Sequence, residues 1–166
     1  NQFLDLRKIE SKTMRLNISE FDIALFLRGV FDLFSDEAES NEIDYQFSSG
    51  LKNIMVHLDA RKIETIVFNL LSNAFKFTGI KGKIHLRLKL DNRKGEEFVV
   101  IEVEDSGIGM SPEDKKNIFE RFYQSRDSKG QKRGLGIGLN MVAELAHLHQ
   151  GEVDVTSELG KGSTMK

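Results

Sequence analysis

The chain has 166 residues, 39% of them hydrophobic and 30% charged, with a formal net charge of −2. That is the composition of a globular chain with a buried core, and it lacks the basic excess that nucleic-acid binding requires. Cysteine is absent, which excludes disulfides and thiolate metal sites, and no apolar run reaches the length of a membrane span. In chain order, residues 1–14 read as a short amphipathic helix with Phe3, Leu6, Ile9 and Met14 on one side. Arg15–Ser19 is a brief extended run. Phe21 to about Ala38 reads as one helix with an apolar stripe of Phe21, Leu25, Val30 and Phe34, and Asp22 lies in its first turn. Ile43–Phe47 and Asn53–Leu58 read as strands joined by the turn Ser48-Ser49-Gly50.

Asp59 is placed to cap the next helix, whose stripe is Ile63, Ile66, Val67, Leu70, Leu71 and Ala74. Lys83–Leu90 alternates as a half-buried strand and, across the polar turn at 91–96, forms a hairpin with Phe98–Asp105. Ser111, Pro112 and Glu113 start a short helix. Tyr123–Arg133 is polar and aperiodic, and is read as a mobile loop. Leu135–His149 is a helix with Leu139, Val142, Ala143 and Ala146 inward, ended by Gly151. Glu152–Ser157 is a strand, and Gly160–Thr164 is a turn into another. The expected fold is α+β: a two-layer sandwich with helices on one face of a mixed, mostly antiparallel sheet.

Several positions suggest chemistry. Asn69, Asn73 and Lys76 stack on one helix face at i, i+4 and i+7. Two carboxamides and an ammonium suit a metal-bound polyphosphate, although by themselves they also describe a solvated face. Asp105 continues the inward row of Val99, Ile101 and Val103. A carboxylate there needs a partner to offset desolvation, and an adenine amino group is one. The following Gly107-Ile108-Gly109 lets backbone pass close to a flat ligand. The alternative is an exposed aspartate in a simple turn.

Gly134-Leu135-Gly136-Ile137-Gly138-Leu139 opens a helix where backbone N–H groups can face an anion. The spacing is not a Rossmann fingerprint, and no Walker-type loop occurs. Arg126, Lys129, Lys132 and Arg133 precede it against one acid, Asp127, a local basic surplus. Arg121 reaches either phosphate or a surface ion pair, and Phe119 and Phe122 beside it read as packing anchors. The histidines His57, His85, His147 and His149 fit no metal spacing and read as structural.

Taken together, N-L-L-S-N-A-F-K-F-T (69–78), D-S-G-I-G-M (105–110), I-F-E-R-F (118–122), G-L-G-I-G-L (134–139) and G-K-G-S-T (160–164) resemble the catalytic and ATP-binding domain of bacterial two-component sensor histidine kinases, with hybrid-type sensors especially similar at the start of the chain. The resemblance covers residues 15–166 and implies a Bergerat-type ATP site closed by a lid at about 110–138. It implies Mg²⁺ on Asn73, with Asn69 near metal and phosphates and Lys76 on phosphate. Phe77 would pack near the adenine and Asp105 would read its amino group. Gly107, Ile108 and Gly109 would shape the adenine pocket. Gly134, Gly136 and Gly138, with Leu135, Ile137 and Leu139, would form the phosphate-side lid hinge, and Thr164 and either Arg121 or Arg126 would touch the phosphate region. Residues 1–14 look like the end of the dimerisation helix and its linker.

The sequence departs from the family's pattern in three places. The acceptor histidine motif is absent, Gln124 stands where many relatives carry arginine, and the closing strand stops at Thr164-Met165-Lys166, which should leave a sheet edge exposed. The implied activity is protein-histidine kinase: phosphoryl transfer from MgATP to a histidine on a dimerisation and phospho-acceptor domain outside this chain, and onward to a response regulator receiver domain in a phosphorelay. The cofactors would be ATP and Mg²⁺. The parent would be a homodimer, cytoplasmic or anchored in the inner membrane, and the isolated domain a monomer. Two rivals are an ATPase of the gyrase, Hsp90 or mismatch-repair type and a degenerate nucleotide-binding regulatory module. The ATPases carry a water-activating glutamate where this chain has Asn69, and an amide is no general base.

Overall fold

A computed structural model of the chain describes residues 7, 11, 13–50, 53–93, 95–124 and 135–166. The elements are β1 (Ser19–Asp22), α1 (Ile23–Asp32), α2 (Ser35–Ser40), β2 (Asp44–Ser49), β3 (Met55–Leu58), α3 (Ala60–Phe77), β4 (Lys83–Arg93), β5 (Glu96–Asp105), α4 (Pro112–Asn117), α5 (Gly138–Leu148), β6 (Val155–Glu158) and β7 (Gly162–Met165). Five strands form one sheet in the order β2-β4-β5-β7-β6, parallel between β2 and β4 and antiparallel elsewhere. β1 and β3 form a separate antiparallel pair. No helix of the described residues is long and apolar enough to cross a membrane. Phe3, Leu6 and Ile9 of the expected N-terminal helix, residues 125–133 of the expected loop and Gly134 lie outside the described residues.

The expected α+β architecture is the observed one, and three local expectations change. The long helix from Phe21 to Ala38 is two helices preceded by a strand. Asp22 is an N-cap rather than a first-turn acid: its carboxylate accepts from Ala24 N–H (2.9 Å) and Leu25 N–H (3.2 Å). The inward face of α1 is therefore Ile23, Leu27, Val30 and Phe31, while Leu25 is 73% exposed. Phe34 then turns into the core and stacks on Phe75, with ring centroids 5.2 Å apart, which ends the helix. Second, β2 and β3 do not pair with each other. β2 lies beside β4, and β3 beside β1. Third, α5 starts at Gly138 and buries Met141, Val142 and Leu145, not Ala143 and Ala146.

The sheet's inner face is built in rows. Phe47, Leu86, Val103, Met165 and Val155 lie in one row across the strands, and Tyr45, Ile84, Asp105, Ser163 and Ser157 lie in the next. The first row is apolar and packs under the helices, with Leu86 and Val103 fully buried. The second row turns polar at Asp105. On the outer face Arg87 bonds Glu102 (2.5 Å) and Glu104, and Lys89 pairs with Glu102 at 3.1 Å. β7 pairs on both sides but meets only Val103–Asp105 of β5. Along Glu96–Glu102, β5 has β4 as its only strand neighbour among the described residues.

Candidate nucleotide site

The site begins on α3. Asp59 caps the helix, accepting from Lys62 N–H at 3.1 Å, and the buried stripe of Ile63, Val67, Leu70, Leu71 and Ala74 fixes its rotation against the sheet. That leaves Asn69, Asn73 and Lys76 facing a cavity of about 360 Å³. The opposite wall is Val103, Asp105, Ser163 and Met165 from the sheet, and the rim comes from Ile108–Met110 and Leu135–Leu139.

Each polar group is held in a defined state. Asn69 is only 9% exposed, and its amino group donates to Thr65 O at 2.7 Å. Its carbonyl oxygen is thereby directed to the start of α5, where a Cβ built on Gly138 would lie 2.8 Å away. Among the described residues, the Asn73 carboxamide has no hydrogen-bonding partner. The Lys76 ammonium sits 4.8 Å from the centroid of the Phe77 ring, and burial lowers its pKa.

Asp105 closes the far end. One carboxylate oxygen accepts from Gly107 N–H at 2.8 Å. Burial pushes the carboxyl pKa up, opposed by the backbone N–H groups of Gly107 and Ser163 and reinforced by the nearby Glu104 charge. The residue is thus a partly buried anion with unused acceptor capacity, which favours a hydrogen-bond donor as ligand.

The cavity brings together Asn69, Asn73, Lys76, Phe77, Asp105, Ile108, Gly109 and Leu135–Leu139. Gly107 stands behind the wall, donating to Asp105. Arg121 and Thr164 are not among the lining residues. Strand alternation turns Thr164 away, and Ser163 takes the place expected for it, opposite Asp105 in the ladder. Phe122 is no packing anchor: it is 63% exposed with φ +60°, whereas Phe119 packs on the core. Its N–H donates to Gly136 O at 2.9 Å, tying together the two ends of the segment between them. Gly136 itself has φ +69°, and a Cβ there would meet Tyr123 O at 2.7 Å, so the tie requires glycine.

Some contributors carry no obvious sequence signal. Asp114 is buried and accepts at one oxygen from Ser111 N–H and Oγ–H and at the other from Tyr123 O–H, at 2.9 Å. Asn140 donates from Nδ2 to Phe119 O at 2.9 Å. Together they seat α4 and Tyr123 at the cavity. The S-P-E-D run does mark a capping box, but the bond to Tyr123 is a tertiary fact.

Residues 58–166 match the family model for histidine kinase-, DNA gyrase B- and HSP90-like ATPases. The chain belongs to that family. Relatives include histidine kinase P4 of Formosa agariphila, 32% identical over the whole chain and 12% of that protein. The aerobic respiration control sensor protein ArcB of Escherichia coli is 35% identical over 99% of the chain and 21% of its own length. The chain therefore spans about an eighth to a fifth of the curated relatives it matches. Among solved structures, full-length ShkA in complex with AMPPNP superposes with a TM-score of 0.85 at 28% identity, covering 99% of this chain and 33% of that one. The catalytic domain of histidine kinase ThkA gives 0.76 at 25% identity, with coverage of 90% and 93%.

The close approach of α5 to Asn69 has a testable consequence. Gly138→Ala should displace the Asn69 amide, which its bond to Thr65 prevents from swinging aside, and weaken nucleotide binding about tenfold. Gly29→Ala, on α1 with open space around its Cβ, should instead stabilise the fold by about 0.5–1 kcal/mol. Denaturant melts and calorimetry of the two variants check the contrast.

Proposed function

We propose that this domain binds MgATP in the cavity and transfers its γ-phosphoryl group to a histidine on a dimerisation domain outside this chain. The observation that carries the reading is the pairing of Asp105, at one end of the cavity, with Asn69, Asn73 and Lys76 on its opposite wall. A buried carboxylate suits the amino group of adenine, and apolar flanks from Phe77, Ile108 and Met110 suit its ring. The carboxamides and ammonium suit the polyphosphate end. The AMPPNP complex of ShkA supports a nucleotide ligand.

The donor set also fits magnesium. No group of three or more His, Cys, Asp and Glu among the described residues could hold a metal, so a cation here relies on amide oxygens and the nucleotide's own phosphates, a set magnesium accepts. Asn69 turns its carbonyl oxygen toward the α5 N-terminus, its amino group donating to Thr65 O. Asn73, one turn on, is the residue we assign to the metal, and Lys76 meets phosphate as a point charge. The ion would neutralise charge on the phosphates. The chain's own residues bind and orient: Asp105 and Phe77 hold the base, and the α5 N-terminus with Gly136 and Gly138 faces the phosphates. With an amide at Asn69 the position of the ATPases' water-activating glutamate holds no general base, which favours the kinase over the ATPase reading. The onward acceptor would be a response regulator receiver domain; histidine kinase ThkA is known in complex with the response regulator protein TrrA.

Calorimetry should show MgATP binding in the micromolar range or weaker. Adding the dimerisation segment that bears the acceptor histidine should give radiolabel transfer from ATP to that segment. Steady phosphate release without it would overturn the kinase reading in favour of an ATPase.

A further inference from the structure

His149 lies at the C-terminal end of α5, far from the cavity, and both of its ring nitrogens are committed. Nδ1 is 2.8 Å from Leu145 O, and Nε2 is 3.2 Å from the backbone N–H of Asp59. An amide N–H can only donate and a carbonyl only accept, so the ring is the neutral Nδ1–H tautomer with Nε2 as acceptor. Asp59 is 5% exposed and is itself a junction. Its Oδ1 caps α3 through Lys62 N–H, and its Oδ2 accepts Asn17 N–H at 2.8 Å from the segment entering β1.

The helices α3 and α5 therefore run antiparallel and touch at two defined points. At one end His149 meets Asp59. At the other, Gly138 meets Asn69, roughly 15 Å along α3 at 1.5 Å per residue. Sliding α5 along α3 would separate Gly138 from Asn69 or drive it onto the Asn69 oxygen; the buried side chains of Val67, Leu71, Met141 and Leu145 hold the helices in contact. The hydrogen bond at the far end adds a directional constraint on that register.

We infer that His149 is a positioning residue for the nucleotide site, setting the register of α5 on α3 and with it the placement of the Asn69 carbonyl and the α5 N-terminus. The inference rests on the nucleotide reading above. Because Asp59 also holds Asn17, the same joint anchors the chain that enters from the N-terminal side.

Two substitutions separate the bonds. In His149→Asn the side-chain amide nitrogen still reaches Leu145 O, but no acceptor reaches Asp59. In His149→Gln the carbonyl oxygen takes the place of Nε2. MgATP affinity should fall about tenfold in H149N and return to within about twofold of the parent in H149Q, with the Gly138 amide resonance displaced in the first and restored in the second. Melting temperatures that shift while affinity and the Gly138 resonance stay put would overturn the inference. In the unsubstituted chain, long-range ¹H–¹⁵N spectra should show the Nδ1–H tautomer, and an Nε2–H ring would overturn it without any variant. Absence of MgATP binding by the parent chain would sink the nucleotide reading instead, and the Gly138 resonance would still decide the role of His149.

Discussion

Replacing Asp105 with asparagine should abolish useful nucleotide binding and raise the melting temperature of the free domain. Both effects come from the same buried carboxylate. Burial holds its pKa above the ordinary aspartate value of about 3.9, so between that value and the raised one the folded state binds more protons than the unfolded state. Stability therefore falls as pH rises through this window, and at neutral pH the full cost of the buried charge is present. Asparagine keeps an oxygen for Gly107 N–H and carries no charge, so the free domain should melt about 2–4 °C higher, the shift that ~1 kcal/mol gives at this size. The gain should shrink as pH falls through about 4 and vanish toward about pH 3, where the carboxyl is protonated in both states. For the ligand the sign reverses. A charge-assisted bond of about 1.5–3 kcal/mol is lost, and the amide presents its own N–H to an amino donor, so affinity should drop about a hundredfold. Scanning calorimetry at pH 7 and pH 3, with and without MgATP, checks all of this. An Asp105→Asn domain still stabilised by MgATP would remove adenine from that end of the cavity.

The second large effect separates the two faces of α3. Leu71 is completely buried between helix and sheet, and Leu71→Ala should cost about 3 kcal/mol of stability through lost transfer energy and the cavity left behind. Asn73, half-exposed and without a partner among the described residues, supports nothing in the fold. Asn73→Ala should leave the unfolding midpoint within about 0.5 kcal/mol of the parent, the scale of a neutral surface change, yet remove the magnesium-dependent part of nucleotide binding. Urea titration and calorimetry with and without magnesium measure the two effects on the same samples. A large stability loss in Asn73→Ala would mean that the residue is structural.

These faces were legible in advance because both are written in a 3.6-residue period, and the β4–β5 hairpin because its alternation is unbroken. What escaped was set by distant partners. Phe21 and Asp22 look helical locally but pair with β3, and Asp22 caps α1 only because the chain is already extended there. The turn at Ser48-Ser49-Gly50 suggests a hairpin, yet the neighbour of β2 is β4, reached across the whole of α3. Thr164 and Ser163 are adjacent, and only the register with Asp105 chooses between them. Counting back by two from the buried Met165 would have found Ser163. Arg121 and the bond from Tyr123 to Asp114 depend on how α4 ends, which no periodic pattern reports. Residues 125–134 carry the basic surplus read from the sequence and lie outside the described residues.

The bond from Phe122 N–H to Gly136 O has a bearing on how the family can vary. It joins the two ends of the intervening stretch at its base, so loop-closure entropy for that stretch is settled there and not at α5. Doubling the number of residues between two tied points costs only about 0.6 kcal/mol. Sequence and length can thus change between these two tied points almost independently of the Asn69 and Gly138 contact beneath them.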